Sequence, residues 1–333
     1  MTDNSNKEKT TIEEKRGSEY DRRKFLKCMT AWAGTGVVLT MAGGLLSSCD
    51  IESAGTATGT LSFVQISDSH IGFSKDPNPN VIQTLQATVD KINALPTRPP
   101  FVLHTGDLTH LSRAEEFDTV AQILKGVKTD QIFYVPGEHD VFVDQGKQFL
   151  ERFGKGTADA GWQSFDFKGT HFIGLNNVVA AKSGPAPGTF ANGGSEGLGS
   201  LGQEQLGWLQ KDVASLSDST PIVVFTHVPL WSVYPQWGWG TDDSEQALSY
   251  LKRFGSVTVL NGHIHQVMQK TEGNITFHTA RSTAYPQPVP GTAASPGPIK
   301  DLPADRLRQT IGLSEVRYVE TNSPLAIIDK SLA

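Results

Sequence analysis

Acidic and histidine side chains form five short clusters in this chain, and each cluster follows an apolar run rich in β-branched residues. Runs of that kind are typical of buried strands, so the clusters are predicted to lie at strand ends. Carboxylate oxygens and neutral imidazole nitrogens are together a donor set that divalent metal ions prefer. The pattern therefore predicts an α/β fold with a metal site at strand ends. The clusters are Asp68-Ser69-His70, Gly106-Asp107, Gly137-Glu138-His139-Asp140, His227 and Gly262-His263-Ile264-His265.

The composition indicates a folded, acidic body. With 333 residues, 38% of them hydrophobic and 19% charged, the chain is long enough for one large α/β domain or two small ones. The formal net charge is -6, and because residues 1–27 carry eight Lys/Arg and six Asp/Glu, the remainder is near -8. An acidic body argues against a general nucleic-acid binder, so no nucleic-acid scaffold role is expected. Both cysteines, Cys28 and Cys49, precede residue 50, so no disulfide is expected in the folded body.

The N-terminal region has the features of a targeting segment. Asp21-Arg22-Arg23-Lys24-Phe25-Leu26-Lys27 precedes a weakly apolar run over residues 29–46. The stretch resembles a twin-arginine export signal and departs from that motif only at its first position, where Asp21 stands. The alternative, a transmembrane anchor, is less favoured because the apolar run is short and interrupted by glycines. Residues 1–49 are therefore predicted to be a twin-arginine signal peptide, with the twin-arginine export machinery as a partner.

The end of this region, Leu46-Ser47-Ser48-Cys49, resembles a lipobox. In such a motif the cysteine is acylated and anchors the mature protein to a membrane. Cleavage by an ordinary signal peptidase within residues 53–59 is the alternative. Residues 50–60 are expected to be a flexible linker, and residues 61–333 the folded domain. The expected location is the periplasm or cell envelope, with membrane anchoring through Cys49 if the lipobox is used.

From residue 61 onward, strand-like and helix-like patterns alternate, as in layered α/β domains. Strands are predicted over residues 61–67, 101–105, 131–135, 221–226 and 256–260, and a hairpin over 164–167 and 171–175. Helices are predicted over residues 81–95, 114–125, 147–153, 203–216 and 245–254. Two stretches of low complexity, 183–202 and 286–298, are predicted to be surface loops.

An aromatic segment over residues 229–240 directly follows His227. Its rings are predicted to lie near the metal site, where they could stack on a nucleobase or a sugar or touch lipid. The alternative is that they pack on their own domain as internal anchors of the loop. The four large aromatic residues are Trp231, Tyr234, Trp237 and Trp239.

Taken in order, the five clusters match the motifs D-x-H, G-D, G-N-H-D/E, an isolated His and G-H-x-H. On these motifs the chain resembles the calcineurin-like metallophosphoesterases, and among them the cyclic-nucleotide and glycerophosphodiester phosphodiesterase branch. The resemblance covers nearly all of the chain after residue 61. Any one motif is common by chance, whereas five in order, each after a strand, are specific. The resemblance implies a four-layer α-β-β-α sandwich of two mixed sheets, with the metal site at the carboxyl ends of strands.

The same resemblance implies two metal ions. The first would be bound by Asp68, His70 and His265, the second by His227 and His263, and Asp107 would bridge the two. A carboxylate between two cations holds them roughly 3.5–4 Å apart, where they can share a hydroxide for in-line attack on phosphorus. His139 matches the family histidine that binds no metal; it would stabilise the phosphoryl oxygens or protonate the leaving group, and Asp140 would orient it.

The remaining histidines are weaker candidates. His110 stands three residues after Asp107, where the family often has Asp or Asn, and is predicted either to support a ligand or to be exposed. His104, His171 and His278 lie in strand-like runs and are predicted to have no role in chemistry.

Glu138 departs from the family pattern, which has an asparagine at this position as a ligand of the second metal. In the usual site, the formal charges of two divalent cations, two Asp carboxylates and a bridging hydroxide add up to +1. A further carboxylate lowers this net charge to zero. If Glu138 binds the metal, iron or manganese should be preferred over zinc, and an Fe(III)/M(II) pair would restore +1. If Glu138 swings aside, the second metal is held weakly.

These observations together predict a metal-dependent hydrolase of phosphate esters that acts on a small-molecule substrate. A neutral site suits a singly charged diester better than a doubly charged monoester, so a phosphodiesterase is favoured. Two alternatives stay open: a phosphomonoesterase or nucleotidase of the same fold, and a catalytically weak metal-binding lipoprotein in which Glu138 has quenched the second site.

Overall fold

The computed structural model describes residues 61–158, 161–178, 199–318 and 325–333. The predicted signal peptide, linker and lipobox, and most of the predicted loop over 183–202, lie outside these ranges. Within them, every helix is too short or too polar to cross a membrane.

The first sheet has five strands, in the spatial order Ala326–Ser331, Gly312–Tyr318, Leu61–Ile66, Phe101–Thr105 and Gln131–Val135. The central strands β1 (Leu61–Ile66), β2 (Phe101–Thr105) and β3 (Gln131–Val135) run parallel. They are connected by helices α1 (Val81–Asn93) and α2 (Ala114–Leu124), as parallel neighbours require. At the other edge, β10 (Gly312–Tyr318) and β11 (Ala326–Ser331) are antiparallel, so the sheet is mixed.

The second sheet has six strands, in the spatial order Gln163–Phe167, Thr170–Gly174, Ile222–Phe225, Val257–Asn261, Ile275–Thr279 and Met268–Glu272. Strands β5 (Thr170–Gly174), β6 (Ile222–Phe225), β7 (Val257–Asn261) and β9 (Ile275–Thr279) are parallel. The antiparallel edges are β4 (Gln163–Phe167) and β8 (Met268–Glu272). Strands β5, β6 and β7 are buried along their whole length, as expected for parallel strands covered on both faces.

Apolar side chains divide the fold into layers. Between the sheets, Phe101 of the first sheet meets Phe172 of the second edge to face, with ring centroids 5.2 Å apart. Helices α1, α2 and α3 (Lys147–Phe153) cover the outer face of the first sheet. Helices α4 (Gly202–Val213) and α5 (Ser244–Leu251) cover the second. The predicted four-layer α-β-β-α sandwich of two mixed sheets is therefore confirmed.

Most predicted elements are present, with ends that differ by a few residues. The hairpin is formed by β4 and β5, and β2, β3 and α3 have the predicted bounds. The sequence prediction lacked β8 to β11 and the short helix α6 (Ala304–Thr310). Of these, β8 is a polar and mostly exposed edge strand, so its sequence carries no hydrophobic alternation.

Candidate metal centre

Five loops carry the predicted metal-binding side chains, and each follows the carboxyl end of a parallel strand. Asp68, Asp107 and Glu138 follow β1, β2 and β3 of the first sheet. His227 and His263 follow β6 and β7 of the second. The backbone N–H of His263 donates to Asp68 Oδ1 at 3.1 Å, which joins the two sheets at this edge.

Five of these residues have a positive φ, in the left-handed region of backbone conformation, although none of them is a glycine. Residues with a Cβ avoid this region, at a cost of roughly 1–3 kcal/mol each, and such strain clusters at functional sites. The strained backbone turns side chains that follow a strand end toward a common point. These residues are Asp68, His70, Asp107, His263 and His265, with φ values of 54°, 42°, 54°, 70° and 53°.

One group of buried donors consists of Asp68, His70 and His265, called here the first group. His265 Nε2 lies 3.1 Å from His70 Nε2 and 3.2 Å from Asp68 Oδ1. The structure thus brings together the three side chains predicted to bind the first metal.

The second group consists of Glu138, His227 and His263. The Glu138 carboxylate lies between the two rings, with Oε2 2.8 Å from His227 Nε2 and Oε1 3.0 Å from His263 Nδ1. Of the two placements considered from the sequence, the structure has the one in which Glu138 points toward the histidines. Its role as a ligand is still a prediction.

Asp107 lies between the two groups. Its Oδ2 is 3.5 Å from His70 Nε2 in the first group and 3.4 Å from His227 Nε2 in the second. Its Oδ1 accepts the backbone N–H of His139 at 2.9 Å, which fixes the carboxylate. One oxygen therefore faces both groups, as the predicted bridging role requires.

The converging atoms are mostly hydrogen-bond acceptors. His227 Nδ1 donates to the carbonyl of Thr105 at 2.7 Å and His265 Nδ1 to that of Tyr285 at 2.6 Å. Each bond places the ring proton on Nδ1, so the Nε2 lone pair faces the centre. Among the described residues, Asp68 Oδ2 and His263 Nε2 are buried without a hydrogen-bond partner, and His227 Nε2 has only carboxylate oxygens beside it. Because buried acceptors without partners are costly, this oxygen and nitrogen set fits divalent cations.

Two motif glycines leave room for this arrangement. A Cβ at Gly137 would collide with the Asp107 carboxylate, and one at Gly262 would collide with Ser67 and Asp68. Neither position could carry a side chain without moving a group of the centre.

The carboxylates of the centre favour positive charge. Burial alone would lower the pKa of His227, but Asp107 and Glu138 raise it well above its ordinary value. Burial alone would raise the pKa of Glu138, yet His263 and His227 hold it well below its usual range. The same charges that stabilise a protonated histidine would stabilise a bound cation.

His139 lies beside the first group, but its ring is oriented differently from our prediction. Its Nδ1 donates to the backbone carbonyl of His110 at 2.7 Å. The Asp140 carboxylate instead accepts the backbone N–H groups of Leu108, Thr109 and Gly137. The prediction that Asp140 orients the His139 ring is therefore wrong. The Asp140 side chain points away from the His139 ring. Its hydrogen bonds connect the loop that carries Asp107 to the loop that carries Glu138.

Burial affects Asp140 strongly. It raises the pKa of this carboxyl to about 7, Asp107 adds to the rise, and the backbone N–H donors oppose it. The catalytic roles of His139 and Asp140 are still predictions.

His110 is half-buried and supports this part of the site. Its Nδ1 lies 3.4 Å from His70 Nδ1, and its ring stacks on His139 with centroids 5.0 Å apart. Of the two predictions made for His110, the structure favours support of a ligand over full exposure.

The aromatic segment after His227 is partly internal. Trp231 packs against Phe277 in the core of the second sheet, and Trp239 is buried. Tyr234 and Trp237 are half-buried and meet edge to face. Two of the four rings therefore act as internal anchors.

Sequence reasoning missed Tyr285. It is buried, its carbonyl holds His265, and its ring stacks on His70 with centroids 5.0 Å apart. An aromatic residue within a polar loop carries no signal of this role, because the role depends on contacts with residues some 20 and 200 positions away.

The sequence model of the calcineurin-like phosphoesterase family matches residues 61–267 of the chain. The chain is 22% identical over 235 residues to glycerophosphodiester phosphodiesterase GpdQ of Enterobacter lignolyticus, covering 69% of this chain and 79% of that protein. It is 25% identical over 275 residues to serine/threonine-protein phosphatase CPPED1 of Mus musculus, covering 74% and 83%. The fold is similar to a dimetal phosphatase from Danio rerio, with a TM-score of 0.56, 14% identity and coverage of 81% and 99%.

Proposed function

The chain belongs to the calcineurin-like phosphoesterase family, whose members hydrolyse phosphoric esters, and from that premise we propose that this protein is a phosphodiesterase with two metal ions as cofactors. The family is dimetal-dependent, and the structure has two adjacent groups of metal-binding side chains. The step from phosphoesterase to phosphodiesterase depends on Glu138.

In this proposal the first group and the second group would each hold one cation, and Asp107, which lies between the groups, would contribute to both. The metals supply Lewis-acid activation of water and stabilisation of the phosphoryl oxygens. The protein orients the donors through the carbonyls of Thr105 and Tyr285. His139 Nδ1 donates to the His110 carbonyl, so the proton for the leaving group would come from Nε2 of the imidazolium. Burial alone would lower the pKa of His139, but Asp107 and Glu138 raise it above its ordinary value, which favours that protonated form.

The position of the Glu138 carboxylate carries the preference for diesters. Its oxygens lie within 3.0 Å of ring nitrogens of both His227 and His263. The centre therefore has three carboxylates, from Asp68, Asp107 and Glu138, instead of the two that an asparagine at position 138 would leave. A third negative charge disfavours a doubly charged monoester more than a singly charged diester, because repulsion grows with the charge of the substrate.

The test compares kcat/KM for a diester and a monoester of the same chromogenic alcohol in three proteins. Glu138→Asn shortens the side chain and removes its charge, whereas Glu138→Gln removes the charge and keeps the length. Both are expected to raise the monoester-to-diester ratio by about tenfold, equivalent to roughly 1.4 kcal/mol. Glu272→Gln, on the exposed edge strand β8, is the matched control for a lost carboxylate and should leave the ratio unchanged. An unchanged ratio in both Glu138 variants contradicts the charge argument.

Phosphomonoesterase activity is the second candidate. The similarity to the protein phosphatase CPPED1, at 25% identity, favours it. Wild-type protein that cleaves the monoester faster than the diester would support this candidate. Negligible turnover of both substrates with a full metal complement would favour the weak metal-binding lipoprotein.

We also propose manganese or iron as the preferred metals, with zinc as the alternative. Imidazole nitrogens suit iron as well as zinc, and the third carboxylate, from Glu138, adds a hard oxygen donor that favours manganese or iron. Metal analysis of protein purified without added metal tests this preference, and two zinc ions per chain would favour the alternative.

Export through the twin-arginine route is a separate proposal, supported by Arg22 and Arg23 and, for lipidation, by Cys49. This route carries folded proteins, so it would allow the metals to be loaded in the cytoplasm. Changing both arginines to Lys should retain the protein in the cytoplasm, and Cys49→Ser should release an exported form from the membrane. Continued export of the double variant contradicts the first claim, and unchanged membrane retention of the Cys49 variant contradicts the second.

A further inference from the structure

The segment over residues 282–287, called here the strap, passes beside both groups of the metal centre. It follows β9, a parallel strand of the second sheet, and leads through α6 to β10 of the first sheet. It lies beyond residue 267, where the match to the family ends. Its buried residues make hydrogen bonds to the motif loops that hold the predicted ligands.

The first part of the strap is bonded to the loop that carries Asp68 and His70. Ser282 Oγ donates to the backbone carbonyl of Asp68 at 2.8 Å. The backbone N–H of Thr283 donates to the carbonyl of Ser67 at 3.0 Å, and its hydroxyl lies 3.1 Å from Ser69 Oγ. These bonds hold the backbone on both sides of a left-handed residue, Asp68, and so help to stabilise its strained conformation.

Tyr285 supports the rings of the first group. Its carbonyl accepts the Nδ1 proton of His265 at 2.6 Å, which sets the tautomer of that ring. Its own ring lies nearly parallel to that of His70, at 26° with centroids 5.0 Å apart, and 4.7 Å from that of His265. Phe73 packs on it with centroids 4.5 Å apart. His70 and His265 are therefore held by one aromatic side chain.

Gln287 supports the second group. Its Nε2 donates to the carbonyl of His263 at 2.9 Å, and its Oε1 accepts the backbone N–H of Gly297 at 3.0 Å. The carbonyl of Gln287 in turn accepts Gln266 Nε2 at 2.8 Å. The side-chain amide is thus fixed at both ends while it holds the backbone of His263.

We propose that the strap sets the placement of the two metal groups relative to each other, with Tyr285 as the positioning residue of the first group and Gln287 as that of the second. The inference rests on the proposed function in one respect, the assignment of the two groups as metal ligands. Groups that orient metal ligands typically change metal affinity by 10–100-fold when they are removed. Two strap residues that act on different groups should therefore weaken different binding steps.

The first experiment measures binding of Mn²⁺ alone by equilibrium dialysis, with electron paramagnetic resonance to detect the magnetically coupled pair of ions. Tyr285→Leu removes the ring and keeps the carbonyl, and is expected to weaken one of the two binding steps by at least tenfold and to diminish the coupled signal. Tyr285→Phe keeps both the ring and the carbonyl, and should restore affinity to within about twofold of wild type.

The matched control separates positioning from general loss of stability. Phe254→Leu shortens an aromatic residue that is equally buried in the core of the second sheet, away from the strap. It should lower the melting temperature by a similar amount and leave both Mn²⁺ steps unchanged. Equal weakening of metal binding in Phe254→Leu and Tyr285→Leu would overturn the proposal, as would wild-type affinity in Tyr285→Leu.

Gln287→Leu is the second variant to be tested. Because Gln287 is only half-buried, this variant should fold even if Tyr285→Leu does not. It should weaken the other Mn²⁺ step by about tenfold, whereas Thr292→Ala, on the exposed part of the same loop, should have no effect. If Gln287→Leu binds both ions as wild type does, the strap does not position the second group. Because these readouts need no turnover, a failure of the diester proposal would show in the substrate ratio and leave them unaffected.

Discussion

The metal centre and the surroundings of His171 are both places where buried histidines meet carboxylates, yet they differ in how the ring nitrogens are matched. Each ring nitrogen of His171 faces its own carboxylate, Asp166 at 2.8 Å and Asp212 at 2.9 Å. In the metal centre the matching is not one to one: Glu138 faces both His227 and His263, at 2.8 and 3.0 Å, while His70 Nε2 and His265 Nε2 face each other at 3.1 Å. Each ring nitrogen has its own carboxylate around His171, whereas in the metal centre ring nitrogens share one carboxylate or face one another.

The contrast shows which property distinguishes a binding site from a structural contact. A single unpaired nitrogen is not enough, because His104 Nδ1 and His278 Nδ1 are also buried without partners among the described residues. His104 has its pKa lowered to about 3 by burial, so it stays neutral and packs as a core residue that accepts or donates to Ser69. The metal centre differs because several groups of three oxygen and nitrogen ligand atoms converge, with the atoms of each group within 4.8 Å of one another.

The largest effect is expected at the residue that faces both groups. Asp107→Asn replaces one carboxylate oxygen with an amide nitrogen, so it should remove at least one Mn²⁺ and lower kcat/KM by more than about a hundredfold, the upper end of what indirect support of a ligand costs. Circular dichroism should show a folded protein. Near-normal turnover with two ions bound would show that convergence of acceptors does not identify the site.

The next effect concerns the stability of the folded state. A ligand that binds only the folded protein stabilises it by about 2.7 kcal/mol at a concentration one hundred times its Kd, or roughly 5–10 °C in melting temperature for a domain of this size. Saturating Mn²⁺ should raise the melting temperature of the wild-type protein by that amount. The shift should be much smaller in Asp107→Asn, and unchanged in His171→Gln because His171 has partners already. Equal increases in melting temperature in all three proteins would show that Mn²⁺ binds outside the first and second groups.

A smaller effect is expected at His278, which has one paired nitrogen and, among the described residues, belongs to no group of metal-binding side chains. His278 Nε2 lies 3.1 Å from Asp329 Oδ2, and Ser314 donates to the other oxygen of this largely buried carboxylate. His278→Leu removes one of these donors, so the free energy of unfolding should fall by about 2 kcal/mol. Mn²⁺ affinity should not change. A loss of metal binding comparable to that in Asp107→Asn would break the distinction between structural and binding histidines.

The smallest effect concerns pH and His171. Burial alone would lower the pKa of this ring, but hydrogen bonds to Asp212 and Asp166 raise it above its ordinary value. A raised folded-state pKa stabilises the protein below the unfolded-state pKa, about 6.5, and the stabilisation is lost as pH rises through the folded-state pKa. Because Asp166 is mostly exposed and screened by solvent, the gain is at most about 1 kcal/mol.

Urea unfolding of wild type and His171→Gln in the presence of chelator measures this gain. The difference between the two free energies of unfolding should be larger at pH 6 than at pH 9. A difference that grows toward high pH would reverse the sign and contradict the matched-pair interpretation of His171.

Much of the fold could be predicted because its signals are local. Apolar runs such as 101–105 and 131–135 coincide with β2 and β3, and the hairpin of β4 and β5 was recognised from two adjacent runs. The partner of β1 on its other side, β10, lies some 250 residues away, and nothing in either strand specifies that pairing. The predicted surface loop over 286–298 is largely exposed, but its first residues belong to the strap, which loop composition did not indicate.

The sequence by itself determined the chemistry that is available: which side chains carry oxygen and nitrogen donors, and that each cluster follows a buried strand. These are properties of residue type and of hydrophobic pattern over a few positions. Only the tertiary structure decided that Glu138 points toward His227 and His263. It also decided that the carbonyl of His110, and not Asp140, accepts a hydrogen bond from His139, and that the Tyr285 ring stacks on His70. These contacts join residues far apart in the chain, so they exist only after the two sheets have packed and their strand ends have met.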